Sequence, residues 1–340
     1  MKRNLFIIVF ACVFLTSGSA WAERITICSF GGTYGDGWRE FFAEPFTKAT
    51  GIEVIVTGNP KFPKIAAQVK SGNIEWDIVE AQSRMYARAV KEGFFEPLDL
   101  SMIPKEDLYE GAVTQYGVGF MFVAIGIAYN TDKWPVGQGP KSMKDYWDIK
   151  KFPGPRAQAH FAFQNLEAAT LARGVPRSKA FPIDVDLALE KMTEIKPYIL
   201  FWKSGGHQQT IMREKEADLG LNSSGRMIQM IEQGAHIGFE WNDNLLWVDY
   251  MSILKGSKHK EAAMKFIAFA TDPKRQAAFA KRLYYGPSNK KAFEFIDKET
   301  AVKLPTYPEN FKRALFIDHE WWADNEKEVL TKWETWKMQQ

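Results

Sequence analysis

CSFGGTYGDGWREFFAEPFTKATGIEVIV, residues Cys28–Val56, is the stretch whose reading decides the fold. An apolar strand ending near Phe30 runs into Gly31, Gly32, Gly35 and Gly37, which read as a loop. A helix follows from about Trp38. Its apolar residues Trp38, Phe41, Phe42, Pro45, Phe46 and Ala49 recur at the spacing of one helical face. Thr50-Gly51 is a stop signal, Pro45 predicts a kink, and Ile52–Val56 is a second strand. Strand, loop, helix and strand in about thirty residues is the opening unit of an α/β lobe. The loop after the first strand is where open α/β sheets hold small molecules.

Upstream, Met1–Ala22 reads as an export signal. Lys2 and Arg3 are its charged end, Leu5–Leu15 is apolar, and Ser19-Ala20-Trp21-Ala22 offers cleavage after Ala22. The apolar run is shorter than the roughly 20 residues that span a bilayer. Lipoprotein processing at Cys12 is the alternative. Cleavage after Ala22 would leave Cys28 as the only cysteine, excluding a disulfide within the chain. Cys28 lies in an apolar strand and reads as a buried, inert thiol. The net charge of +3 includes Lys2 and Arg3, and with no basic block nothing points to nucleic acid.

Downstream the alternation continues: a helix over Lys64–Lys70, a strand over Trp76–Glu80, and a helix from Ser83, read as its cap, to Lys91. Gly117–Asn130 is a long β-rich run suited to a crossover. Further strands are expected at Ala159–Phe163, Ala217–Leu221 and Ile237–Trp241. Helices are expected at Ser142–Ile149, Leu166–Arg173, His207–Glu216 and Ser224–Gln233, with another over Asp184–Ile195 that turns Val185, Leu187, Leu189 and Met192 inward. Trp247–Leu254 is a second crossover. Helices over Lys258–Thr271 and Pro273–Lys281 precede the loop Leu283–Asn289 and an aromatic helical tail.

Catalytic signatures are not legible. His160, His207, His236, His259 and His319 are scattered, so no zinc spacing arises. Asn222-Ser223-Ser224-Gly225 fits a strand-to-helix turn better than a nucleophile elbow. The glycines of the first loop have the wrong spacing for a dinucleotide fingerprint. Binding without chemistry, and without a cofactor, is the expectation.

Ordered motifs along nearly the whole chain then resemble a known family. They are Gly32-Thr33-Tyr34, Pro45–Val54 (PFTKATGIEV), Trp76-Asp77-Ile78-Val79, Lys91-Glu92-Gly93, Gly126–Thr131 (GIAYNT), Phe152-Pro153-Gly154, Trp247-Val248-Asp249, Ala262–Ile267 (AAMKFI) and Tyr285–Asn289 (YGPSN). The chain resembles the periplasmic solute-binding proteins of ABC importers, in the branch of the spermidine and putrescine receptors. The resemblance implies the type II periplasmic binding fold. Two α/β lobes, each a mixed sheet flanked by helices, enclose a cleft and are joined by crossovers near Ile125–Asn130 and Val248–Ile253. Residues 23–127 and 251–305 form one lobe, 128–250 the other, and 306–340 a helical segment packed on them. A monomer is implied that closes on a small amine-containing or zwitterionic solute and delivers it to a membrane permease.

The resemblance also implies the site. Tyr34, Trp247 and Tyr285 match aromatics that sandwich the ligand through cation–π contacts of roughly 0.5–2 kcal/mol. Asp249 matches the acid that holds an amine and Glu167 a second acid, while Gln82 and Ser83 stand where polar contacts are expected. Three positions depart from the polyamine receptors: Arg84 stands in place of an aromatic, Ser223 of a tryptophan and Gln164 of an aspartate. Those changes favour a smaller ligand with both an amine and an acid. Competing readings are a ferric-ion receptor using Tyr284-Tyr285, an exported hydrolase, and a receptor that feeds a sensor.

Overall fold

The computed structural model describes residues 23–339, so the export segment and Cys12 lie outside the described residues. β1 (Arg24–Ser29) leads into α1 (Thr33–Trp38), which continues through a wider π turn at Arg39–Ala43 into α2 (Glu44–Thr50). β2 (Glu53–Gly58) follows. The helix starts at Thr33 rather than near Trp38, so Gly35 and Gly37 lie inside it. Packing is the reason: a Cβ at 37 would sit 2.8 Å from Leu283 Cδ1, and one at 35 would sit 2.9 Å from the Phe30 carbonyl oxygen. The kink expected at Pro45 takes the form of the π turn before it. A proline inside a helix lacks an N–H and crowds the carbonyl four residues back, and the wider turn relieves both. Trp38, Phe42 and Phe46 are buried, each burial contributing roughly 1.5–3 kcal/mol.

α3 (Phe62–Ser71), β3 (Ile78–Gln82) and α4 (Ser83–Lys91) repeat the unit. β4 (Val118–Asn130) is buried along its whole length. Then come α5 (Met143–Trp147), β5 (Arg156–Ala159), α6 (Ala162–Ala172), α7 (Val185–Thr193), β6 (Ile199–Trp202), α8 (Gly205–Arg213), β7 (Leu219–Ser223) and α9 (Ser224–Glu232). In α7 Leu187 is 39% exposed and Ala188 takes the inward position expected of it. The strands expected at Ile237–Trp241 and Trp247–Leu254 are one strand, β8 (Ile237–Ile253). α10 (Lys260–Ala270), α11 (Pro273–Leu283), β9 (Gly286–Pro287), α12 (Lys298–Ala301), α13 (Pro308–Lys312), β10 (Leu315–Phe316) and α14 (His319–Met338) complete the chain.

The main sheet order is β2-β1-β3-β8-β4-β7-β5-β6. β1 pairs in parallel with β2 and β3 on one side, and β5 with β6 and β7 on the other. The two long antiparallel strands β4 and β8 join them, so the two mixed sheets are halves of one hydrogen-bonded ladder. β4 and β8 pair with register shifts at Gly119/Met121 and Ile125/Ile127. Such irregularities bend and twist a strand locally. Cys28 is buried among apolar neighbours, and burial pushes its thiol up to about 11, which keeps it protonated and unreactive.

Candidate ligand-binding site

Strand register builds the floor of the site. Gln82 on β3 and Met121 on β4 both pair with Asp249, Val123 pairs with Trp247, and Ile125 pairs with Ser223. Directly paired residues share a face of a sheet, as do alternate residues along a strand. Gln82, Asp249, Trp247, Val123, Ile125 and Ser223 therefore point the same way, across three of the strand junctions. They floor a cavity of about 220 Å³. Phe30, Tyr34 and Tyr285 wall it from the β1 side. Phe161, Gln164, Trp202, Gly205, Gln208 and Arg226 wall it from the β5–β7 side. Both halves of the sheet thus enclose one space.

The acid end of this space is uncompensated. Asp249 is buried and accepts one hydrogen bond, from Trp247 Nε1 at 3.0 Å. Burial, and then the neighbouring Glu80 carboxylate, raise its pKa well above the ordinary value, against the Trp247 bond. Glu80 sits one alternation along β3 from Gln82 and is also buried. It accepts from Ser29 Oγ and from the Tyr34 hydroxyl. Burial pushes its pKa up to about 7 despite those two donors. Asp249 lines the cavity with Glu80 buried behind it, and no basic side chain is paired to either among the described residues, which leaves room for one external cation.

The opposite wall carries the complementary charge. Arg226, near the start of α9, donates to Gln209 Oε1 at 3.2 Å and has no acidic partner among the described residues. Gln208 is occupied by the backbone, accepting from Ser223 N at 2.8 Å. The Ser223 hydroxyl and Gln164 Oε1 are buried and unpartnered at the cavity wall. Unpaired buried polar atoms are costly, and here they border the space a ligand would fill.

Gln164 reaches that wall through a distorted backbone. Its φ of 78° and ψ of −43° break the first turn of α6, near the strained γ-turn region. The Glu167 carboxylate accepts from Gln164 N at 2.8 Å, as the third helical residue does in a capping box. Its other oxygen accepts from Trp322 Nε1 at 2.5 Å. Burial pushes Glu167 up to about 7, opposed first by the Trp322 bond.

Of the residues expected from the sequence, Tyr34, Gln82, Ser223, Trp247, Asp249 and Tyr285 come together at the cavity, with Gln164 beside them. Three others do not line it. Ser83 follows Gln82 and so faces the other side; it is the first residue of α4 rather than its cap, and borders a separate hollow with Tyr250 and His319. Arg84 lies outside, ion-paired with Glu326 and over the Phe163 ring at 5.3 Å. Glu167 holds Gln164 and Trp322 instead of facing the space. Arg226, Gln208, Trp202, Phe161 and Glu80 were not singled out from sequence. Glu80 carried a readable signal, an acid inside the apolar strand Ile78–Gln82. Arg226 follows the strand-to-helix turn read above as structural.

Comparison with known proteins places the chain in a family. The bacterial extracellular solute-binding protein family matches over residues 42–309. The chain is similar to the gamma-aminobutyric acid-binding protein of Pseudomonas aeruginosa, at 29% identity over 96% of this chain and 95% of the relative. It is also similar to the spermidine/putrescine-binding periplasmic protein of Escherichia coli K12, at 23% identity over 80% and 82%. A solved GABA receptor superposes with a TM-score of 0.87 at 34% identity, covering 94% of this chain and 98% of that one. A binding protein from Agrobacterium tumefaciens R10, solved with agropinic acid, gives 0.82 at 33% identity, over 93% and 99%. The chain belongs to the family of bacterial extracellular solute-binding proteins.

Proposed function

We propose that the protein is the receptor of an ABC importer for a short zwitterion, its ammonium held at Asp249 and its carboxylate at Arg226. γ-Aminobutyrate is the probe that fits this description most simply. The observation that carries the reading is that Asp249 and Arg226, both without an opposite charge among the described residues, line one cavity, Asp249 from its floor and Arg226 from the β5–β7 wall. Its volume, about 220 Å³, is below the roughly 300–1,000 Å³ of sites for drug-sized ligands. Trp247 and Tyr34 supply aromatic surface around the cation. The relatives that bind gamma-aminobutyric acid and agropinic acid support an amino-acid-like ligand.

In this reading the protein works in the periplasm as a monomer after cleavage at Ala22, and catalyses no reaction. Residues 23–127 with 251–305, and 128–250, close as two lobes about the β4–β8 crossovers. The closed form is what the permease recognises. Titration calorimetry with γ-aminobutyrate, putrescine and succinate tests the charge assignment. Only the zwitterion should bind at micromolar concentration; tighter binding of putrescine or succinate overturns it.

A further inference from the structure

α14 touches both halves of the molecule: it lies along α4 as well as on α6 and α7, and the polar side-chain contacts on the two sides differ in kind. Toward the β5–β7 half it is anchored by apolar burial. Trp322, Trp333 and Trp336 are buried. Their indole N–H groups donate to Glu167, to the His160 carbonyl at 3.2 Å and to Thr193 Oγ1 at 2.9 Å. Lys196 Nζ closes the end of the helix on the Trp336 carbonyl at 2.5 Å. Toward α4, in the β1–β3 half, the polar contacts are ionic and partly exposed. Arg84 and Arg88 pair with Glu326, the latter at 3.2 Å, and Lys91 pairs with Asp324 at 2.6 Å and Glu320 at 3.3 Å.

Large buried aromatic contacts mark a permanent junction, whereas polar contacts of this kind mark one that forms and releases. We propose that α14 moves as part of the β5–β7 half and latches onto α4 when the cleft closes. The pairs of Arg84, Arg88 and Lys91 with Glu326, Asp324 and Glu320 are then affinity-determining although none lines the cavity. The latch is also wired to the cavity wall, because the same helix holds Glu167 through Trp322, and Glu167 holds Gln164. Arg84 reinforces the junction by lying over Phe163, whose ring meets Trp247 at 5.3 Å.

The latch rests on the ligand-capture reading for its purpose but not for its test. Spin labels at Glu92→Cys on the α4 side and Lys327→Cys on α14 report the releasable contact. Labels at Glu190→Cys on α7 and Lys327→Cys report the permanent one. Cys28 is buried and out of reach of the label. In 1 M salt, where the screening length falls to about 3 Å, or with Glu326→Gln and Asp324→Asn together, the 92–327 distance should lengthen. The 190–327 distance should hold. If neither distance moves, or both move together, the latch is wrong. The double variant should also weaken γ-aminobutyrate binding about tenfold, as a small ionic network contributes, without changing the salt-independent 190–327 distance. A wild-type protein that ignores γ-aminobutyrate would sink the ligand assignment and leave the distance test standing.

Discussion

Gly205 and Arg226 interlock: a Cβ added at Gly205 would sit 2.3 Å from Cζ of the Arg226 guanidinium. The first residue of α8 must be glycine for the arginine to lie across it into the cavity. Gly205→Ala should therefore displace Arg226 and weaken γ-aminobutyrate binding about tenfold or more, as loss of a charge-assisted contact does. Melting of the ligand-free protein should be unchanged or slightly higher, because alanine favours helix over glycine by about 1 kcal/mol. Calorimetry and a thermal melt on the same sample separate the two effects.

Asp249→Asn should divide binding from stability more sharply. The substitution removes a buried charge from beside Glu80, so the ligand-free protein should melt higher. The ammonium partner is lost, at roughly 1.5–3 kcal/mol, a drop of about 10- to 100-fold in affinity. Unchanged affinity would show that the cation sits elsewhere.

Glu80 makes stability pH-dependent. Its folded pKa of about 7 lies above the ordinary 4.5, so the folded state holds a proton that the unfolded state has released. The slope of stability with pH is then negative over that interval. Its contribution is complete below about 4.5 and is lost as pH rises through about 7. Glu167, raised to about 7 by burial, acts in the same direction. The melting temperature should fall across this window, and Glu80→Gln and Glu167→Gln should each flatten part of the fall. A melt that rises over the same interval would contradict the assignment.

Gln164→Gly should stabilise the ligand-free protein by about 1 kcal/mol, since glycine takes positive φ without strain. It should also weaken the ligand by removing a polar wall. Denaturant unfolding and calorimetry together check the opposing signs. Gln164→Asn, which keeps an amide at the same place, should retain more of the affinity.

The floor of the site was legible because a strand has a strict period of two. Trp247 and Asp249 share a face by their spacing alone, and Gln82 joins them once β3 is placed beside β8. The walls were less legible. Trp202 lies on the four-residue strand β6, too short an apolar run to distinguish from a loop. Arg226 is one arginine among many until tertiary packing brings α9 to the cleft. Arg84 and Glu167 are charged residues near the right elements, but their partners come from α14, far along the chain, and no local pattern announces such pairings. The first glycines misled for a related reason: Gly35 and Gly37 answer to Leu283 and Phe30, not to a turn.

The single face that floors the cavity has a consequence for how such a receptor can change. Asp249, Trp247, Val123 and Ile125 sit on the two strands that hold both halves together, so replacing them disturbs the framework. Arg226 and Gln164 project from the first turns of α9 and α6, Trp202 from the end of β6 and Tyr285 from a loop. Exchanging those residues alone could redirect the protein to a different solute while leaving its architecture in place. A designer seeking a sensor for another small amine has a short set of positions to randomise and a rigid base to leave untouched.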